Sequence, residues 1–340
     1  MAKPQAIKQK RYVSILILLI ALLIMMFFIS LSTGVIPISP SDVVKTLFNF
    51  GTEKQELVLF EFRLPGIILA LLIGAGLAVS GVILQGVTQN DLADPGILGI
   101  NTGAGLAVVL FIYFFQDTLS MTSSISAFIM PIFALIGAVF AAFLIYTLAW
   151  KNGVNPIRLI LVGIGVNAGF SAALIIFQLK MDPQDFRQAT VWLAGDIWSA
   201  NWNFVLALLP WILFLIPYTL HKAHGLNVLN LGDDVAAGLG SKVEHERRLL
   251  LILAVALAGA CVAAGGGIAF LGLVVPHITR RIVGPTHQRI IPISTLIGAL
   301  LLMMADVIGK NVLAPTEIPV GIVVAILSTP YFVYLLMKTK

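Results

Sequence analysis

The residues able to do chemistry are few and scattered. Of the five histidines, His221, His224, His277 and His287 border apolar runs and His245 lies in a polar stretch. No His-x-x-x-His spacing and no cysteine cluster offers a set of metal ligands. Cys261 is the sole cysteine, so no internal disulfide can form. No G-x-x-x-x-G-K-[ST] phosphate loop occurs, so the chain does not itself bind and hydrolyse ATP in the usual way. The expectation is a protein that is not an enzyme, with no catalytic residue, metal or cofactor of its own.

Other spacings point to mechanical work. In Gly232-Asp-Asp-Val-Ala-Ala-Gly-Leu-Gly240, the acidic start suits a helix amino terminus and Gly240 suits the left-handed position after one. The spacing predicts a helix of about seven residues. Val235, Ala236 and Leu239 fall on one small apolar face, flanked by Asp233 and Asp234. So short a helix is unstable alone and must dock, either on its own bundle or on a soluble partner. Small residues form stripes: Ala70, Gly74 and Ala78; Gly99 and Gly103; Gly165 and Gly169. Such stripes let helices pack closely, or offer a smooth wall to a bulky cargo. Arg63, Arg187 and Lys310 are basic residues beside apolar runs, suited to lipid headgroups or to an acidic protein partner.

The elements that carry these residues must lie in lipid. The chain has 340 residues, 59% hydrophobic and 11% charged, against about 25% charged in soluble domains. Mean hydropathy is +1.01 and the sequence pI about 9.4. These values exclude a water-soluble enzyme, a nucleic-acid-binding protein and a disordered scaffold. Charge-poor runs cover about 13–32, 64–85, 96–115, 127–149, 157–179, 203–220, 249–279, 290–309 and 318–337. Most match the ~20 residues that cross hydrocarbon, and none alternates as a barrel strand would.

The run 249–279 has 31 residues without a charge, long for one span and short for two. Gly265-Gly266-Gly267 sits where a helix should break. With two spans there, fifteen Lys and Arg fall inside and six outside; with one, the division is eleven to ten. The positive-inside rule selects ten helices with both termini cytoplasmic. The fold class is an all-α polytopic membrane protein, one domain over 1–340, with residues 1–12 as the cytoplasmic amino terminus. The main cytoplasmic loop is 221–248, and the outer loops are about 34–62, 180–202 and 310–317.

Span centres carry no Asp, Glu, Lys or Arg, which disfavours an ion-coupled secondary carrier. Asp306 comes nearest to one, and Lys310 stands one turn on for pairing. Shifting the sequence by 185 residues lays Arg63–Ile83 over Arg248–Ile268 with 9 of 21 identities. The match is either chance among apolar helices or an inverted repeat of the transporter kind.

Several stretches carry a resemblance: Phe62-Arg-Leu-Pro-Gly, Gly74 to Gly81, Gln85 to Asn90, and Leu92 to Gly99. To these add Trp192-Leu-Ala-Gly-Asp196, Leu231 to Gly240, Phe270 to His277 with Arg280, and Pro315-Thr-Glu-Ile-Pro-Val-Gly321. Together and in this order they resemble the permeases of ABC importers for iron-siderophores and vitamin B12. The resemblance implies a bacterial cytoplasmic-membrane protein that dimerises with a second permease, identical or a sister chain. Two ATPase subunits then bind from the cytoplasm, and a binding protein delivers cargo from outside. It implies that Asp233, Asp234, Val235, Ala236, Leu239 and Gly240 form the coupling helix. It also implies that Arg63 and Lys310 pair with acidic residues of the binding protein, and that 157–179 lines the path. The cargo implied is a ferric siderophore, with haem or cobalamin as alternatives.

Four stretches depart from the usual pattern: Gly66 for Arg, Asp91 for Pro, Gly267-Ile268-Ala269 for Pro-Ile-Gly, and Asp196 for Ser. The first removes one expected docking charge.

Overall fold

The computed structural model describes residues 3–34, 36–96, 98–115, 126–151, 153–197 and 200–338. Met1, Ala2, Thr339 and Lys340, the ends of the expected domain, and Ile97, near the start of the expected third span, lie outside the described residues. Among the described residues the regular structure is helical apart from one isolated bridge, Trp150 to Val154. In hydrocarbon a helix satisfies its own backbone donors and acceptors.

The order is α1 (Lys3–Ser32), α2 (Pro40–Leu47), α3 (Glu53–Glu56), a π-helical stretch Leu57–Arg63, α4 (Leu64–Thr88), α5 (Ile100–Phe115) and α6 (Ser126–Ala149). It continues with α7 (Pro156–Gln178), α8 (Pro183–Leu193), α9 (Trp202–His221), α10 (Ala223–Leu229), α11 (Asp233–Gly238) and α12 (Val243–Gly265). It closes with α13 (Leu271–Val283), α14 (His287–Asn311) and α15 (Val320–Lys338). Seven helices, those within α1, α3–α4, α6, α7, α9, α12 and α14, are long and apolar enough to cross a membrane. The shorter apolar helices Ile100–Phe115 and Val320–Tyr334 accompany them. The 249–279 run breaks as expected: α12 ends at Gly265, Gly266 takes φ +70°, and α13 follows after Phe270. At ~1.5 Å per residue, 13-residue α13 reaches ~20 Å, short of the ~30 Å hydrocarbon core.

Three expected loops contain helices. In 34–62, Ser39 caps α2 ahead of Pro40, and Thr52 and Gln55 form a reciprocal capping box that starts α3. The helix that ends at Thr88 therefore begins at Glu53, and Arg63 lies inside it rather than before it. In 180–202, Asp182 caps α8 with Pro183 at its first position. In 221–248, α10 precedes α11. All are too short or too polar for an apolar-run reading, although the caps of α2, α3 and α8 are ordinary helix-start signals.

The core is built on α4, which is buried over nearly its whole length. A Cβ on Gly74 would overlap the carbonyl of Gly298 in α14, so these two helices meet backbone to backbone. Ala70 and Ala78 are fully buried on the same stripe, and Gly103 meets Gly137 of α6 in the same way. The packing also follows the 185-residue shift. Gly74 of α4 faces α14, while its counterpart Gly259 of α12 faces Leu135 and Ala138 of α6. Counting the spans from α4 and from α12, α6 and α14 are counterparts too, so the two halves repeat one contact.

Candidate functional site

Helix α11 has six residues, bounded by Gly232 at φ +96° and Gly240 at φ +82°. Gly240 holds the left-handed position expected of it. The helix starts at Asp233 with both acidic residues in its first turn, as expected, while Gly232 takes the cap position and no side chain caps the helix. The Asp233 carboxylate turns instead to Arg247, with Oδ1 2.5 Å from Nη2. The single apolar face is corrected. Ala236 is fully buried, whereas Val235 is 51% and Leu239 65% exposed. Leu231, just before Gly232, is 58% exposed as well, so three large apolar side chains in this segment face outward. Helix α11 thus seats on its own bundle through Ala236 and presents leucine and valine to whatever lies beyond.

The seat is a network that sequence reading missed. Arg247 is 3% exposed although it opens the polar end of α12. Its Nη1 donates to the Val154 carbonyl at 2.9 Å, in the loop that leads into α7. Glu244 Oε2 accepts from the Val154 amide at 3.3 Å and lies 3.8 Å from Arg247. One guanidinium therefore joins α11, α12 and the α6–α7 loop. Helix α10 is tied in turn: Gln89 Nε2 donates to the Leu229 carbonyl at 2.7 Å. Asn227 Oδ1 accepts from the His287 amide at 3.0 Å and lies 2.8 Å from its Nδ1. Deeper, Gln85 Nε2 donates to the Leu273 carbonyl at 3.1 Å, and Arg280 Nη2 donates to Gln85 Oε1 and pairs with Asp91 at 3.0 Å. Motifs up to 195 positions apart meet here. The arrangement fits force transmission: charged groups are paired across helices, and they hold α10 and α11 to α4, α12, α13 and α14.

The opposite end holds the expected docking cations, and both are engaged. Arg63 donates to the carbonyls of Leu31 and Ile36, which close the carboxyl end of α1. Lys310 Nζ bonds Asp306 Oδ2 at 2.7 Å, with Asp306 2% exposed. Burial pushes the Glu317 carboxyl above its ordinary range, and the nearby Lys310 ammonium opposes that push. A Cβ on Gly66 would lie 3.6 Å from Lys310 Nζ. An arginine at 66 would set like charge against this lysine, which accounts physically for the glycine there. Alongside, Gly267 donates to the Trp192 carbonyl at 3.3 Å and Gly321 to the Gly195 carbonyl at 3.4 Å. A Cβ on Gly266 would overlap Trp192's carbonyl, so the Trp192–Asp196 and triple-glycine motifs form one junction.

The small-residue stripes separate. Ala70, Gly74 and Ala78 pack inside the chain. Among the described residues, Gly165 and Gly169 on α7 have no atom of another element within 4 Å of where a Cβ would stand, so their expected packing role is not met there. Neighbouring Leu161 and Ile164 are 63% and 50% exposed. Behind this face Thr102 Oγ1 donates to Asn167 Oδ1, at the edge of a cavity of about 310 Å³ that Asp94 and Asn101 also line.

The FecCD transport family matches residues 22–338. The chain is 62% identical over 319 residues, 94% of this chain and 95% of the relative, to the iron(3+)-hydroxamate import system permease protein FhuG of Bacillus subtilis (strain 168). It is 37% identical over 324 residues, 95% of each, to the hemin transport system permease protein HmuU of Yersinia pestis. Among solved structures it is similar to a metal-chelate type ABC transporter in an inward-facing conformation, with TM-score 0.82 and 30% identity, covering 96% of this chain and 99% of that one.

Proposed function

The chain belongs to the FecCD transport family, and from that premise we propose that it carries a ferric siderophore of the hydroxamate class across the membrane. It is a multi-pass permease subunit of an ABC importer in the bacterial cytoplasmic membrane and works with an ATPase and a binding protein. The observation that carries the cargo reading is the 62% identity to an iron(3+)-hydroxamate permease across 94% of the chain. The proposed arrangement is ten spans with cytoplasmic termini, two ATPase copies below, and a second permease, identical or sister, beside α7. The open Gly165–Gly169 face supports that last element, because a glycine stripe without a partner among the described residues suits a helix that a second subunit faces.

The coupling role belongs to Asp233, Asp234, Val235, Ala236, Leu239 and Gly240. Val235 and Leu239, with Leu231, enter the ATPase, while Ala236 and Asp233 seat the helix on the bundle. ATPase closure moves α11, and Arg247 passes that motion to the loop before α7. The resulting change alternates access between the two sides. Arg63 and Lys310 are the candidates for binding-protein docking, and each would exchange part of its hold within the chain for acidic groups of that partner.

The test is uptake in cells lacking this chain, with labelled iron presented as hydroxamate, catecholate and citrate complexes, and haem and cobalamin alongside. Selective loss of hydroxamate uptake is expected. Selective loss of any other compound, with hydroxamate uptake intact, overturns the cargo reading.

A further inference from the structure

A second cavity lies on the flank of the bundle, with Leu159 from the start of α7 among its lining residues. It is a groove of about 630 Å³ between α6, α9 and α12. Its walls are apolar, with Val139, Phe143 and Ile252 each at least half exposed. One charged residue lines it, Arg248, at the end that also holds α11. Arg248 Nε donates to Tyr146 Oη at 3.1 Å, and its guanidinium stands 5.4 Å from the centre of the Trp150 ring. Among the described residues it has no carboxylate partner. A guanidinium has five N–H donors; with Nε engaged and one face on Trp150, both terminal amino groups are left as a fork. That fork matches the oxygens of a phosphate.

The dimensions fit one leaflet. From Arg248 to Ala256, both lining the groove, eight residues of helix rise ~12 Å, close to half of a ~30 Å hydrocarbon core. Trp150 and Tyr146 sit at the charged end, where amphipathic rings gather at a membrane surface. Lys151 is exposed just beyond them, adding positive charge at headgroup level. We propose that this groove holds an acyl chain of an anionic phospholipid whose phosphate is bound by Arg248.

The test uses the full chain in nanodiscs of phosphatidylcholine containing a fraction of either phosphatidylglycerol or phosphatidylcholine brominated on its acyl chains. Trp211, which lines the groove, is the reporter, isolated by difference against Trp211→Phe. Preferential quenching by brominated phosphatidylglycerol is expected, about fivefold in apparent affinity, the usual contribution of one basic residue near anionic lipid. Arg248→Gln should bring the two lipids level, and Ala256→Leu, which fills the groove, should reduce quenching by both. Equal quenching by the two headgroups in the unaltered chain overturns the proposal in favour of ordinary surrounding lipid. Absence of quenching by either overturns it in favour of a protein cover such as a second copy.

Discussion

Replacing Arg247 with Met tests whether α11 drives the bundle through one side chain. Arg247 is 3% exposed and Asp233's side chain 49% exposed. Breaking a fully buried pair costs about 3–5 kcal/mol. Arg247→Met removes the buried charge and leaves Asp233 half in water, so it should cost ~1–2 kcal/mol, mostly the lost hydrogen bond to the Val154 carbonyl. Asp233→Asn leaves the buried guanidinium with only Glu244 at 3.8 Å, so the lower end of the buried-pair range, ~3 kcal/mol, applies to it. Asp233→Asn costs little once the guanidinium is gone, so the double-mutant cycle should return a coupling of ~3 kcal/mol, read from unfolding of the purified chain. The outward-facing Leu231, Val235 and Leu239 are untouched, so the ATPase should still bind and turn over. What is lost is the link from α11 to the Val154 carbonyl ahead of α7. A link of ~1–2 kcal/mol between two moving elements corresponds to a ~5–30-fold fall in uptake per ATP hydrolysed. The assay is cargo uptake and phosphate release measured together on the importer in proteoliposomes. Arg247→Lys keeps the charge but reaches one partner at a time, so it should fall between. Unchanged uptake per ATP in a correctly inserted Arg247→Met importer would refute the transmission argument, whatever the loss of stability.

Further outcomes follow from neighbouring geometry. Leu239→Arg should abolish ATPase binding and uptake while leaving the unfolding temperature unchanged, because that side chain is 65% exposed; normal uptake would remove α11 from the coupling path. Gly74→Ala should destabilise by about 1–3 kcal/mol through overpacking against Gly298, whereas Gly165→Ala should leave the isolated chain as stable as before; unfolding midpoints in detergent compare them. Lys310→Met leaves Asp306 buried and unpaired at a cost of about 3–5 kcal/mol, and adding Asp306→Asn should recover much of it. Glu317 should make stability pH-dependent. Its carboxyl is raised above the ordinary 4.5 by burial, so the contribution is full below that value and is lost as pH rises through the raised one. Glu317→Gln should flatten the slope, read as unfolding temperature against pH.

The spans were legible because lipid leaves a coarse signature, about 20 residues without charge, and the Gly265–Gly267 break could be read inside the longest run. The short helices α2, α3, α8 and α10 were not, because a hydropathy window passes over polar segments. Start signals were nevertheless present for three of them, in Ser39-Pro40, Thr52 with Gln55, and Asp182-Pro183. The short helix α11 was legible from its acidic start and from Gly240. Its faces were misassigned because three apolar residues within five positions look like one side of a helix until a neighbour claims one of them.

Arg247 and Arg248 mark the limit of such reading. They are adjacent, identical in type and equally counted as inside charges. Successive residues on a helix point ~100° apart, and that rotation sends one guanidinium into a junction of three elements and the other to the rim of an apolar groove. Gly74 and Gly165 make the same point from the packing side, since both belong to i, i+4 stripes of small residues. Spacing states which residues share a face; what meets that face is decided by the rest of the fold. The α4 stripe meets α14 of its own chain and becomes core. The α7 stripe meets nothing among the described residues, and in a membrane a bare glycine face gains little from lipid, because apolar packing drives helices together only where their surfaces fit. The proposed second permease therefore belongs against α7, and the helix left open in a single chain is the one to which Arg247 leads.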